Sequence, residues 1–177
     1  MTLSRNNKDP LIIIAATFIL FSTICPNYCW AKDLCTKEYA TLGCLRENLD
    51  NLYATDYSLF WNILRSAGNI AFECRSTHDT ASFLELVNLK SKNAEFNEYI
   101  SEILENLIVN KPKCFFNSLS TLDHESISNV IKILQHPIFM SKKKIDNVFS
   151  KISTLKKYKT IMDIYLKLRK EQIIEKQ

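Results

Sequence analysis

Apolar residues recur at three- and four-residue intervals along most of this chain, the period of a helix with one buried face. Tyr39, Leu42, Leu45, Leu49, Leu52 and Tyr53 make one such stripe; Phe60, Ile63, Leu64, Ala67, Ile70, Ala71 and Cys74 make the next. Phe83, Leu84, Leu86 and Val87 follow Ser76 and Asp79, two residues suited to capping a helix N-terminus. The most regular stripe is Phe96, Tyr99, Ile100, Ile103, Leu104, Leu107 and Ile108. Glu95, Glu98, Glu102 and Glu105 fall on the outer face, which is predicted to be solvated and acidic.

Stop and start signals divide the second half. Lys111-Pro112 closes the regular stripe, and Phe115, Phe116, Leu119 and Leu122 predict a short helix after it. Asp123 is an N-cap candidate for a helix carrying Ile127, Val130, Ile131 and Leu134. His136-Pro137 stops that helix, because the residue before a proline is driven out of helical backbone. Ser141 is placed to cap Ile145, Val148, Phe149 and Ile152. A last helix bears Tyr158, Ile161, Met162, Tyr165 and Leu168, with a polar tail expected from Lys170.

The chain therefore reads as all-α, an array of about eight short antiparallel helices in a helical-hairpin or solenoid-like bundle. No repeat of fixed period is legible, so no named repeat family is implied. Glycine usage agrees: Gly43 and Gly68 are the only two among 177 residues, and β-hairpins depend on glycine for positive φ at their turns. No linker rich in Gly, Pro or Ser interrupts residues 32–177, which fit one helical domain with a basic C-terminal third.

The first 31 residues follow a different rule. Arg5 and Lys8 precede the uncharged apolar run Leu11 to Ile24, then come Pro26 and the small residue Ala31 before charged Lys32 and Asp33. A basic start, an apolar centre and a small residue at the cut are the parts of a secretory signal peptide, with cleavage expected after Ala31. The expected location is the periplasm or extracellular space. The alternative is anchoring in the inner membrane by this same segment, although a span needs about 20 apolar residues and Pro26 cuts the run short. Cleavage before Cys25, as in a lipoprotein, is disfavoured by its neighbours Ile24 and Pro26.

Export changes the reading of the cysteines. Cys35, Cys44, Cys74 and Cys114 remain in the mature chain, an even number in an oxidising compartment, and two disulfides are expected. On a continuous helix the nine-residue step from Cys35 to Cys44 spans about 13 Å, beyond the roughly 7 Å that a disulfide allows. Both are therefore expected to bond outward, to Cys74 and Cys114.

Charge is segregated. Residues 142–177 hold eleven Lys or Arg against four Asp or Glu, whereas residues 32–141 hold ten against fourteen. Lys142, Lys143, Lys144, Lys156, Lys157 and Lys159 are the candidates for a basic binding patch. An exported protein has no natural nucleic-acid partner, so the patch suits another envelope or extracellular protein with an acidic surface, or an anionic lipid surface.

Catalytic signatures are sparse. There is no Gly-rich phosphate loop, G-x-S-x-G, C-x-x-C or H-E-x-x-H, and no cofactor is expected. The densest chemical cluster is Glu73-Cys74-Arg75-Ser76-Thr77-His78-Asp79, where Cys74 and His78 stand at the spacing of a metal pair or a nucleophile and its base. Ser76 signals a helix break inside it, and a disulfide cysteine followed by a capped turn accounts for the same residues. His124-Glu125 at a helix start reads first as dipole-matched capping.

Three functions follow in order. The first is an exported, non-catalytic binding or adaptor module of the cell envelope, such as an immunity protein or assembly factor, acting through a protein–protein surface. The second is an envelope hydrolase or metal-dependent enzyme around Glu73, Cys74, His78 and His124. The third is a peripheral membrane-docking protein.

Overall fold

The computed structural model describes residues 41–174, which fall within one compact unit; the expected signal segment and Cys35 lie outside them. Eight α-helices and no strand are present among the described residues: α1 (Leu42–Thr55), α2 (Tyr57–Glu73), α3 (Thr77–Leu84), α4 (Ala94–Asn110), α5 (Pro112–Leu119), α6 (His124–Gln135), α7 (Lys142–Ile152) and α8 (Lys159–Ile174). Short 3₁₀ turns at Glu85–Asn88 and Lys156–Tyr158 join α3 to α4 and α7 to α8.

Local chemistry sets the helix starts. Thr41, Asp56, Ser76, Asn93, Asp123 and Ser141 each accept a backbone N–H of the first turn of α1, α2, α3, α4, α6 and α7 respectively. Helix α5 lacks such a side chain and begins instead with Pro112, whose missing N–H costs nothing at the first helical position. The breaks expected at Ser76, at Lys111-Pro112 and at His136-Pro137 all fall between helices. At the C-terminal end, α8 continues through Lys170 to Ile174, so the tail expected there is helical.

Packing is organised around α4, which touches α2, α5, α6, α7 and the first 3₁₀ turn. The array closes around one helix; it is not a linear stack in which each hairpin meets only its neighbours. That arrangement explains a correction to the predicted face of α4. Its buried side is Phe96, Ile100, Ser101, Leu104, Glu105, Leu107 and Ile108, while Tyr99 and Ile103 are half-buried at the rim. Glu105, expected on the solvated face with Glu95, Glu98 and Glu102, is fully buried. Its carboxylate accepts the backbone N–H groups of Ile138 and Phe139 at 2.8 Å and of Met140 at 2.5 Å, so the turn after His136-Pro137 folds over α4. A buried carboxylate survives because three donors replace its lost water.

An aromatic cluster joins the N-terminal helices to α4. The Phe60 ring meets Tyr53 and Trp61 edge-on at 5.1 and 5.4 Å, and Trp61 meets Tyr99 of α4 at 5.6 Å. Gly68 makes this approach possible: a Cβ there would lie 2.4 Å from the Tyr99 hydroxyl. Arg46 fastens α1 to the end of α3 through Glu85 at 2.7 Å and the Ser82 carbonyl at 2.8 Å.

The disulfide pairing differs from the one expected. Cys74 bonds to Cys114, with Cα atoms 6.1 Å apart, so neither is bonded to Cys44. Cys44 is itself disulfide-bonded. The expected pairing assumed one helix through Cys35 and Cys44. Helix α1 starts only at Leu42, behind an extended Thr41, so the axial-separation argument against a bond between those two has no basis.

Candidate functional site

The end of α4, α5, α7 and the second 3₁₀ turn enclose an open groove of about 530 Å³. Val109, Phe116, Val148, Ile152, Leu155 and Tyr158 supply its apolar lining, and Lys113, Lys151 and Lys157 stand at its rim. The volume lies in the range of ligand-sized clefts. Cationic side chains flanking an apolar trough select an occupant that carries both acidic and apolar groups.

The floor is rigid. Phe116 meets Phe149 and Tyr158 at 5.5 and 5.4 Å, and Phe149 stacks on Tyr165 at 4.1 Å. The Tyr158 hydroxyl donates to Asn117 Oδ1 at 2.8 Å, and Lys157 Nζ donates to the same oxygen at 3.2 Å. Lys157 also stands 4.4 Å over the Tyr158 ring, which holds its charge against the groove wall. The wall carrying Lys113 is tied down by the neighbouring Cys114–Cys74 bond, which fastens α5 to the end of α2. On the far side of Lys113, a second cleft of about 450 Å³ is lined by the two half-cystines with Arg75 and Lys111. Leu155, 43% exposed, is the apolar lining residue most open to water.

Helix α8 is locked to α7 by one carboxylate. Asp146 accepts the Tyr165 hydroxyl at 2.8 Å and lies 3.4 Å from Lys142. Burial, then the hydrogen bond to the Asp146 carboxylate and that group's charge, push the Tyr165 phenol up to about 12.

The six lysines expected to form one patch are divided by the fold. Lys142, Lys143 and Lys144 occupy the first turn of α7, and Lys156, Lys157 and Lys159 follow its other end. The eight helical residues 145–152 between the two groups span about 12 Å along the helix. Of the six, only Lys157 lines the groove; Lys113 and Lys151 join it from α5 and α7. No local signal in the sequence marks these two, because each is an isolated lysine outside any run of basic residues. Their relation is made by packing alone.

The cluster around Cys74 and His78 is dispersed. Cys74 ends α2 in a left-handed conformation (φ 58°, ψ 34°) and Ser76 starts α3, so the four-residue spacing does not lie on one helix. Its sulfur is consumed by Cys114 and supplies no thiolate. The His78 side chain is 88% exposed, with Asp79 at 3.6 Å, and His124 is exposed in the first turn of α6. No group of three or more His, Cys, Asp or Glu suited to a metal occurs among the described residues. Among the same residues, no helix is long and apolar enough to cross a membrane.

Comparison with protein-family models, curated proteins and solved structures found no match for this chain.

Proposed function

We propose that this chain is an exported, non-catalytic binding module that captures an acidic amphipathic segment of another envelope or extracellular protein. The observation that carries the reading is the apolar groove with Lys113, Lys151 and Lys157 at its rim. An amphipathic helix with apolar anchors one turn apart and carboxylates beside them matches both features, the helix-in-groove mode of recognition. The anchors would contact Val148, Ile152 and Leu155, and the carboxylates would meet the lysines. Export is supported by the basic and apolar composition of residues 1–31 and by the Cys74–Cys114 disulfide, which suits an oxidising compartment.

Site-specific photocrosslinking in the native host tests this. A crosslinker at Leu155 should give one discrete protein adduct whose linked peptide is acidic and amphipathic. Lys151→Glu with Lys157→Glu should remove it, and a crosslinker at exposed Asn62 of α2 should give none. His78→Ala and His124→Ala should leave the adduct unchanged. An adduct at Leu155 that survives the charge reversal, or no adduct there, overturns the proposal.

A further inference from the structure

We infer that the turn Ile138–Met140, together with Lys143 and Lys144, is a docking edge for an anionic phospholipid surface. This surface lies at the opposite end of α7 from the groove and does not depend on the groove's occupant.

The turn is held from inside. Three successive backbone N–H groups, of Ile138, Phe139 and Met140, point inward to the buried Glu105 carboxylate. With its backbone anchored to α4, the turn leaves Ile138 64% and Phe139 48% exposed. A lone exposed apolar residue is ordinary. Two adjacent ones on a turn fixed by a buried charge are a presented surface, because the fold spends a fully desolvated carboxylate on holding that backbone in place.

The lysines that follow supply the second observation. Ser141 caps α7, so Lys142, Lys143 and Lys144 fill its first turn, where the positive end of the helix dipole disfavours cations. Asp146 offsets Lys142, but Lys143 and Lys144 are exposed and make no ion pair among the described residues. The uncompensated charge sits within a few residues of the apolar tip, and an external anion would relieve it. Apolar side chains entering the headgroup boundary with cations at the phosphates beside them is the geometry of interfacial binding. Lysine suits this role, since its compact charge meets mobile phosphates without a fixed fork.

Cosedimentation with unilamellar vesicles, using the protein as the native host produces it, tests the inference. Vesicles of equal parts phosphatidylglycerol and phosphatidylcholine should bind the protein, and pure phosphatidylcholine should bind it far more weakly. Lys143→Ala with Lys144→Ala should reduce partitioning about 25-fold, near fivefold per surface lysine. Ile138→Ser with Phe139→Ser should reduce it about tenfold or more, and circular dichroism should show all four substituted residues tolerated by the fold. In a Phe139→Trp variant, brominated lipid should quench fluorescence beyond the quenching seen in the parent protein. Vesicle binding that survives both double variants overturns the inference by placing the contact elsewhere in the chain. Absence of binding to the anionic vesicles, including a result in which a crosslinker at Phe139 captures a protein instead, overturns it as well.

Discussion

Replacing Glu105 tests the least expected contact in the fold. Its carboxylate is fully buried on the central helix and receives three backbone N–H groups of the turn between α6 and α7. Hydrogen bonds to a charged partner contribute about 1.5 to 3 kcal/mol each, so three independent ones would sum to roughly 4.5 to 9 kcal/mol. The turn is partly exposed and water can reach some of the freed amides, which lowers the net cost of Glu105→Ala to about 3 kcal/mol. Glu105→Gln keeps the volume and one acceptor but turns an NH₂ toward amide donors, and should cost about 2 kcal/mol. Glu102→Ala, one turn-face away and exposed, should stay within about 0.5 kcal/mol of the parent. Equilibrium urea unfolding followed by circular dichroism reads these differences. With a slope of about 2 kcal/mol per molar urea, Glu105→Ala should lower the midpoint by about 1.5 M. Hydrogen exchange gives an independent check: the amides of Ile138, Phe139 and Met140 should be protected in the parent and lose protection in the alanine variant. If Glu105→Ala and Glu102→Ala unfold alike, or if those three amides exchange freely in the parent, the anchoring role is refuted.

Gly68→Ala should destabilise the fold by about 1 kcal/mol, since crowding costs of roughly 1 to 3 kcal/mol exceed the helix-propensity gain of about 1 kcal/mol. Tyr99→Phe in the same chain should recover most of the loss, because the hydroxyl is the nearest obstacle; no recovery in urea unfolding would contradict the close approach. The raised phenol of Tyr165 stabilises the native state fully below about pH 10, where the unfolded phenol is also neutral. That contribution should fade as pH rises from 10 towards 12. Ultraviolet titration should show one tyrosinate forming only near the upper end, and stability curves of Tyr165→Phe should lack this component of the decline. Removing the Cys74–Cys114 bond by a double alanine substitution frees a loop with a sequence separation of 40 and should cost roughly 4 kcal/mol by chain entropy. Peptide mapping without reduction should join the Cys74 and Cys114 peptides, and a link from Cys44 to either would refute the pairing.

The chain's local chemistry was sufficient for the all-helical class and for most helix boundaries. Caps act within one turn, so Ser76, Asp123 and Ser141 could be placed by reading three residues ahead, and Pro112 and Pro137 end helices through their own backbone sterics. Periodicity located the buried side of α4 only approximately. It counts apolar residues and cannot register a carboxylate that neighbouring helices and a returning turn will enclose, so Glu105 looked like surface. The pairing of Cys74 with Cys114 depended on where α1 begins and on how α5 meets the end of α2, both settled by packing. The same holds for the lysines. A run such as Lys142 to Lys144 is visible along the chain, whereas Lys113, Lys151 and Lys157 come from three separate segments and meet only because α5 and α7 close one groove. Sequence spacing governs contacts within a helix; contacts between helices depend on how their faces pack, and both the groove and the anchored turn arise there.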